Sequence, residues 1–395
     1  MTLALPSGFV PVRILSTKEI LYGNRTTAWR WEVFEHVGSV DSLLGFLDGV
    51  VVGSATLSEL LYASVKGKGT LRIADLETAQ AGMLRVRDLP LSSMRIRPVQ
   101  LIEGLPEIEW GMYLISAAPE EWSDTGRVLT VELLDKATVL SQDEISETYS
   151  VDTSTPILSA VAAVVASAGE SIEVDAEVTK TLSSPMVWPT GTSKLTIVNE
   201  LLAALNYNSL RVDRNGSFRA TPYELPADRS STYELLNLPR ELIDGEQSIY
   251  NKAWTRDQDL YGVPNKVVAV QSATGDEEAL IGEYTNTDPS SPFSYVSRGN
   301  RWITRTLSGV ETPEGTALEV VAFLEDKARR ALIAASSPQA TVEVSCLPIP
   351  VRSGDVVQFK NVPAGINARH VITSIDLGAY PLGIMNLKLT EMVVL

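Results

Sequence analysis

The clearest periodicity in the chain lies between residues 188 and 225, WPTGTSKLTIVNELLAALNYNSLRVDRNGSFRATPYEL. Pro189 and Gly191 interrupt whatever precedes, and Thr192 or Ser193 can accept from the free N–H groups of a helix start. Leu195, Val198, Leu201, Leu202 and Leu205 then recur at helical spacing as one apolar stripe. Burying these side chains is worth on the order of 10 kcal/mol before entropy is subtracted, so the helix must dock on something. After Asn206 the period changes to two, and Arg214-Asn215-Gly216 marks the turn of a hairpin. A two-residue Asn-Gly turn would set Val212 opposite Arg219. A three-residue loop with Gly216 in the left-handed region sets Val212 against Phe218 and Leu210 against Ala220, and this is the register expected. The unit ends at Pro222 and is a packing unit: it holds no nucleophile, metal cluster or phosphate loop.

The same reading extends to the rest of the chain. Residues 1–140 read as all-β. The stretch 27–35 alternates Trp29, Trp31 and Val33 on one face with Arg30 and Glu32 on the other. Short strands are expected at 49–52, 64–74, 94–102, 109–116 and 127–134, with Gly, Pro and Asp between them, the spacing of a barrel or sandwich. Gly67-Lys68-Gly69 reads as a turn, because the Walker spacing and a following helix are absent. Between 141 and 188 the pattern turns helical: Thr155-Pro156 opens a segment with Ile157, Val161, Val164 and Val165 on one face, and Gly169 closes it. From about 235 the chain is mixed. Strands are expected at 253–255 and 266–271. Residues 272–300, rich in Ser, Asp, Gly, Pro and Asn, read as a long excursion that contacts partners or moves and that the fold could lose without harm. A helix is expected at 313–335 with Arg329 and Arg330 near its C-terminal end, followed by strands at 340–347, 355–360, 370–375 and 384–394.

Composition narrows the function. The chain has 395 residues, 44% of them hydrophobic, more than one ordinary core holds, so two to four domains are expected. No run approaches the roughly 18 apolar residues of a membrane span, and the opening MTLALPSGFV lacks the basic region of a signal peptide, so synthesis and retention in the cytosol are expected. The net charge is −16, from 33 basic and 49 acidic residues, without an acidic tail. Gripping a phosphate backbone needs clustered Lys and Arg, which argues against stable nucleic-acid binding; an acidic surface past which nucleic acid slides is compatible with it.

The residues offer no catalytic, cofactor-binding or metal-binding set. His36 and His370 sit beside or in apolar strands without HExxH or paired spacing, and no carboxylate cluster lies near them in sequence. Cys346, in TVEVSCL, reads as a small core residue. Asp143-Glu144 with Glu147 reads as a charged linker rather than a glycosidase pair. Neither GxSxG nor GxGxxG occurs. A sugar- or receptor-binding module would use exposed aromatics such as Trp122, Trp188, Tyr295 or Trp302, each of which also suits a core or interface.

Several ordered segments carry a family resemblance. LDGVVVGSATL followed by VKGKGTLRIAD, then WGMYLISAAPEEWSDTGRVLTVELLDKATVL, the 188–223 stretch, and NTDPSSPFSYVSRGNRW resemble the minor tail proteins that form the baseplate hub in siphophages of actinobacteria. That family is similar in fold to contractile-tail hubs and to the hub portion of type VI secretion spikes. The resemblance implies a β-rich α+β chain: a tube-like β-barrel at 1–140, an α+β connecting domain at 141–234, and a second tube-like barrel at 235–395 with an excursion near 272–310. It further implies a homotrimer in the virion tail tip, assembled in the host bacterial cytoplasm. Its partners would be a distal tail protein or tail tube above and the tape measure protein and spike or fibre proteins below, with DNA only in transit and no stable membrane binding. The family has no catalytic motif to carry over, and no cofactor is implied. The alternative expectation is a tail-associated cell-wall-degrading or host-carbohydrate-binding protein.

Overall fold

The computed structural model describes residues 20–21, 25–124, 126–174, 179–237, 250–251, 253–257, 262–272, 279–289, 291, 293–336 and 341–392. The chain's opening, residues 273–278 of the expected excursion, and residues 340 and 393–394 of the expected last strands lie outside them.

Period-two alternation builds most of the molecule. In Gly67–Ala74, Leu71 and Ile73 enter the core while Lys68 and Arg72 face outward. Leu129, Val131 and Leu133 do the same in Gly126–Asp135, and Met385, Leu387 and Leu389 in Met385–Glu391. Gly67-Lys68-Gly69 is therefore the start of a strand and not a turn. A Cβ on Gly69 would stand 2.6 Å from the Thr56 carbonyl oxygen, so glycine there lets two strands approach closely. The expected strand at 49–52 reduces to an isolated bridge between Val50 and Ile73, while Val40–Leu47 and Thr56–Leu60, unmarked by strong alternation, are strands.

Sixteen strands join in a single sheet. Thr27–Val37 lies between Val40–Leu47 and Met94–Ile102. The order continues through Tyr113–Ala117, Gly126–Asp135, Gly67–Ala74 and Thr56–Leu60. It then passes to strands from the far end of the sequence: Ile366–Gly378, Met385–Glu391, Thr341–Cys346 and Thr255–Asp257. The chain is thus β-rich α+β, as expected. Two closed barrels are not seen: among the described residues the sheet is open, and its two strand sets are hydrogen-bonded to each other. The strand Ile366–Gly378 makes this possible by its length of 13 residues. Met385–Glu391 takes one edge, and the opposite edge is shared between Val356–Asn361, beside residues 366–371, and Thr56–Leu60, beside residues 374–378.

The helices pack on smaller sheets. Ile157–Ser167 and Lys194–Ala204 close a second apolar cluster together with Val212, Phe218 and Ala220. Ser193 caps the latter helix by accepting from Thr196 N at 3.2 Å. The hairpin takes the expected register, Val212 opposite Phe218, with Gly216 at φ +96°.

The third helix of this kind, Ala317–Ser336, starts four residues later than the apolar spacing suggests, at a capping box. Thr316 N donates to Glu319 Oε2 at 2.7 Å, and Glu319 N donates to Thr316 Oγ1 at 3.4 Å. The helix covers a sheet in which Lys266–Gln271 pairs antiparallel with Ile281–Thr285 and parallel with Thr304–Val310. Both of the latter strands lie in the stretch expected to be an excursion. Its Ser- and Asn-rich average composition hid five alternating residues, IGEYT, and the polar residues after them bond among themselves. Asn286 Nδ2 donates to Ser291 Oγ at 2.9 Å, and Tyr295 N donates to Asn286 O at 2.9 Å.

Gly282 sets the spacing of this layer, because a Cβ there would come within 2.4 Å of Glu325 N on the helix. Gly282→Ala is expected to cost about 1–3 kcal/mol in urea unfolding; an unchanged midpoint would mean the helix does not rest on this strand. For the same reason, deleting residues 279–285 should prevent folding rather than leave thermal stability intact.

Candidate functional site

The chemistry-bearing side chains gather at two joints between the strand sets and the helical region, and neither gathering is visible as a motif. At the first joint, Asp41 and Glu170 meet Arg95 and Lys136. Arg95 Nη1 lies 2.6 Å from Asp41 Oδ1 and also pairs with Glu170, while Lys136 Nζ lies 2.8 Å from Asp41 and 2.9 Å from Glu170. His36 joins them, with Nδ1 2.8 Å from Asp41 Oδ1 and Nε2 3.1 Å from the Gly169 carbonyl. The expectation that His36 lacks carboxylate neighbours is corrected: Asp41 returns across the hairpin turn, and Glu170 arrives from the end of the helix Ile157–Ser167. His36, Asp41 and Glu170 offer ligand atoms within 4.8 Å of one another, the spacing of a metal site. Their carboxylates, however, are already matched by two cations, which a divalent ion would have to displace. Burial works against the Asp41 charge, yet the Lys136 and Arg95 contacts hold its carboxyl below the usual range.

The second joint is also buried. Glu59 follows Leu57 on the inward-facing parity of Thr56–Leu60. Its Oε2 accepts from Arg352 Nε at 2.6 Å and its Oε1 from Ser353 Oγ at 2.8 Å, while Arg352 Nη2 donates to the Val212 carbonyl at 3.2 Å. One guanidinium thus ties a strand from the first half, a loop from the last strands, and the hairpin. Burial raises the Glu59 pKa but the Arg352 charge and hydrogen bond prevail, so it lies below its ordinary value. Nearby Asp135 accepts from Ala137 N at 2.8 Å and is pushed up to about 6, chiefly by burial. Both joints bring opposite charges together in hydrogen-bonded pairs, an arrangement that fixes geometry.

The residues singled out from the sequence are scattered. His370 is buried, with Nδ1 3.0 Å from the Ala368 carbonyl and its ring edge-on to Phe359; burial lowers its pKa. Cys346 is buried and its thiol is pushed up to about 12. Asp143 is bound into the fold rather than a loose linker: Oδ2 pairs with Lys194 Nζ at 2.6 Å, and its carbonyl accepts from Lys194 N at 2.9 Å. Glu144 bridges to Ser193. Of the aromatics, Trp188 is buried and donates to Glu200 at 2.6 Å, and Trp122 is exposed beside Arg127. Tyr295 and Trp302 stack at 4.2 Å, with Trp302 43% exposed.

No known protein family and no curated protein matches the chain. Solved structures do. A tail protein from Neisseria meningitidis MC58 superposes with a TM-score of 0.60 at 12% identity, over 92% of this chain and 97% of that one. The 43 kDa tail protein of prophage MuSo2 from Shewanella oneidensis gives 0.58 at 12% identity, over 93% and 98%. Prophage tail protein gp18 from Listeria monocytogenes EGD-e gives 0.51 at 12% identity, over 91% and 94%. At these identities the likeness is one of fold, and it runs nearly end to end.

Two measurements test the second joint. Glu59→Gln strands Arg352 and is expected to cost about 3–5 kcal/mol near neutral pH. Since the native Glu59 pKa is depressed, its contribution is present above 4.5 and is lost as pH falls through the native value, so the difference from wild type should narrow in acid. Asp135 has the opposite sign: with the native value at about 6 against 3.8, stability falls as pH rises between the two, and Asp135→Asn should flatten the profile there. An Asp135→Asn profile with the same slope as wild type through this window would contradict that assignment.

Proposed function

We propose that this chain is a structural component of a bacteriophage tail tip, a baseplate hub of which three copies form a ring. The observation that carries the proposal is the end-to-end likeness in fold to three tail proteins. In this reading the strand sets of residues 1–140 and 235–395 are two tube-like domains joined by the α+β region 141–234. Three chains then present six tube-like domains, so that the ring meets a sixfold tail tube on one side and a threefold tip on the other. Closed cyclic symmetry leaves no heterologous interface open.

The charge pattern supports a passage for nucleic acid rather than a grip on it. Each Lys or Arg contact to phosphate would add salt-dependent affinity and slow ejection, and acids exceed bases by 49 to 33. The joints support a scaffold rather than an enzyme, because Asp41, Glu170 and Glu59 are paired with Arg95, Lys136 and Arg352. The proposed setting is the virion tail tip of an actinobacterial siphophage, assembled in the host cytoplasm. The neighbours would be a distal tail protein or tail tube above, and the tape measure and spike or fibre proteins below. A second reading, a host-carbohydrate-binding tail protein, draws on the stacked Tyr295–Trp302 pair with its half-exposed indole.

The deciding experiment is the mass and symmetry of the protein in solution and in the virion. The expected result is three times 42.9 kDa, a threefold ring in the tail tip, and an acidic bore. A monomer or dimer in the virion, or a bore lined mainly by Lys and Arg, overturns the hub. Pure protein should give no clearing on a peptidoglycan zymogram; reproducible clearing, lost in a carboxylate variant that keeps the wild-type Tm, would favour the hydrolase alternative.

A further inference from the structure

A cavity of about 250 Å³ opens where four parts of the chain meet: residues 61–66, the 208–229 stretch after the helix Lys194–Ala204, the end of the helix Ala317–Ser336, and the loop at 353–354 beside the last strands. Three cations, Lys66, Arg211 and Arg229, line it together with Tyr62 and Tyr223, and its wall contains no Asp or Glu. In a chain with 49 acids and 33 bases this local balance runs against the composition.

The carboxylate paired with Arg211 is already committed. Glu59 holds Arg352 at 2.6 Å and Ser353 at 2.8 Å, and Arg211 reaches it only at 3.9 Å. Lys66 Nζ spends its protons on neutral acceptors, the Leu61 and Ala63 carbonyls and Ser209 Oγ, at 2.8, 3.3 and 3.0 Å. Having accepted from Lys66, the Ser209 hydroxyl keeps its own proton to donate. Arg229 gives Nη1 to the Gly354 carbonyl at 2.8 Å, and its Nε is buried with no partner among the described residues. The cations also repel one another: after burial, the Arg211 charge is what most lowers the Lys66 pKa, and Arg352 and Arg229 act likewise on Arg211. The wall therefore holds three positive charges and a hydroxyl donor, with no Asp or Glu among the residues that line it.

We propose that this cavity binds one small dianionic oxyanion per chain, a phosphate or a dicarboxylate. Arg211, Arg229 and Lys66 would supply the charge, and the Ser209 hydroxyl would supply a hydrogen bond. Because its walls come from segments distant in sequence, the anion would also fasten the strand sets to the hairpin region. Occupancy thus adds to the stability of the whole fold by mass action.

The test uses the full-length protein, titrated calorimetrically and melted in sodium phosphate or sodium succinate, with sodium chloride at matched ionic strength as the reference. Saturable binding of one anion per chain is expected, with a rise in Tm on the order of 2–4 °C over chloride. The anion that saturates identifies the chemistry as phosphate or carboxylate. Arg211→Gln and Arg229→Gln should each weaken binding at least about tenfold, the loss of a charge-assisted contact. Arg72→Gln, which removes an exposed cation paired with Glu121, should leave binding unchanged. The increment over chloride is read within each variant, so a lower baseline Tm does not disguise the result; should Arg211→Gln fail to fold, Arg229→Gln and Lys66→Gln decide. No saturable binding of either anion, or binding untouched in these variants, overturns the proposal.

Discussion

The pairing of Thr56–Leu60 with the second half of Ile366–Gly378 is the constraint on which the rest of the architecture depends. It closes a very long loop, and Glu59 and Arg352, which seal it from one side, are 293 residues apart in sequence. Closing a loop of that length costs conformational entropy that grows slowly with length, but it must be met by contacts made together rather than one at a time. Leu57, Ile375 and Leu377 supply the apolar part, and the Glu59–Arg352–Ser353 group supplies the directional part. Once this seam forms, the hairpin carbonyl of Val212 has a fixed guanidinium to accept from, and the helical region is oriented against both strand sets.

The two charged joints solve a related problem. Apolar surfaces between packed units tolerate sliding, whereas a carboxylate pair matched to two cations has one arrangement in which every charge is compensated. Asp41, Glu170, Arg95 and Lys136 impose this where the first hairpin meets the end of the helix Ile157–Ser167. Buried ion pairs add little net stability compared with an apolar contact of the same volume, so their value lies in fixing geometry. In the ring proposed above, such fixed angles would matter, since a small error per chain repeats around the ring. The oxyanion cavity stands between these joints in character: charged and geometrically defined, but with one sign of charge only.

Local pattern and chemistry determined a good deal by themselves. The stripe of Leu195, Val198, Leu201 and Leu202 determined a helix, with Ser193 at its cap. The hairpin register followed from keeping Val212 and Phe218 on one face, and the strands Met94–Ile102 and Lys266–Gln271 lie within the expected bounds. These features depend on neighbours within a few positions, where spacing alone specifies which side chains share a face. The Thr316–Glu319 capping box was equally local, and it, rather than the apolar spacing, sets where the last helix starts.

The tertiary structure alone decided which strand lies beside which, and which charges meet. Backbone ladders are chemically uniform, so any alternating strand can pair with any other; the choice is made by total burial and by loop closure across the whole chain. That is why two strand sets expected as separate barrels share one sheet, and why IGEYT, lost in a polar stretch, becomes a strand once Ala317–Ser336 provides a face for it. The joints are hidden for the same reason. Glu59, on the buried parity beside Leu57, gave a faint local hint of an unmet charge, but Arg352 lies at the other end of the sequence. Coulombic and hydrogen-bond matching acts through a few ångströms of space, and only the folded chain determines which side chains stand within that reach.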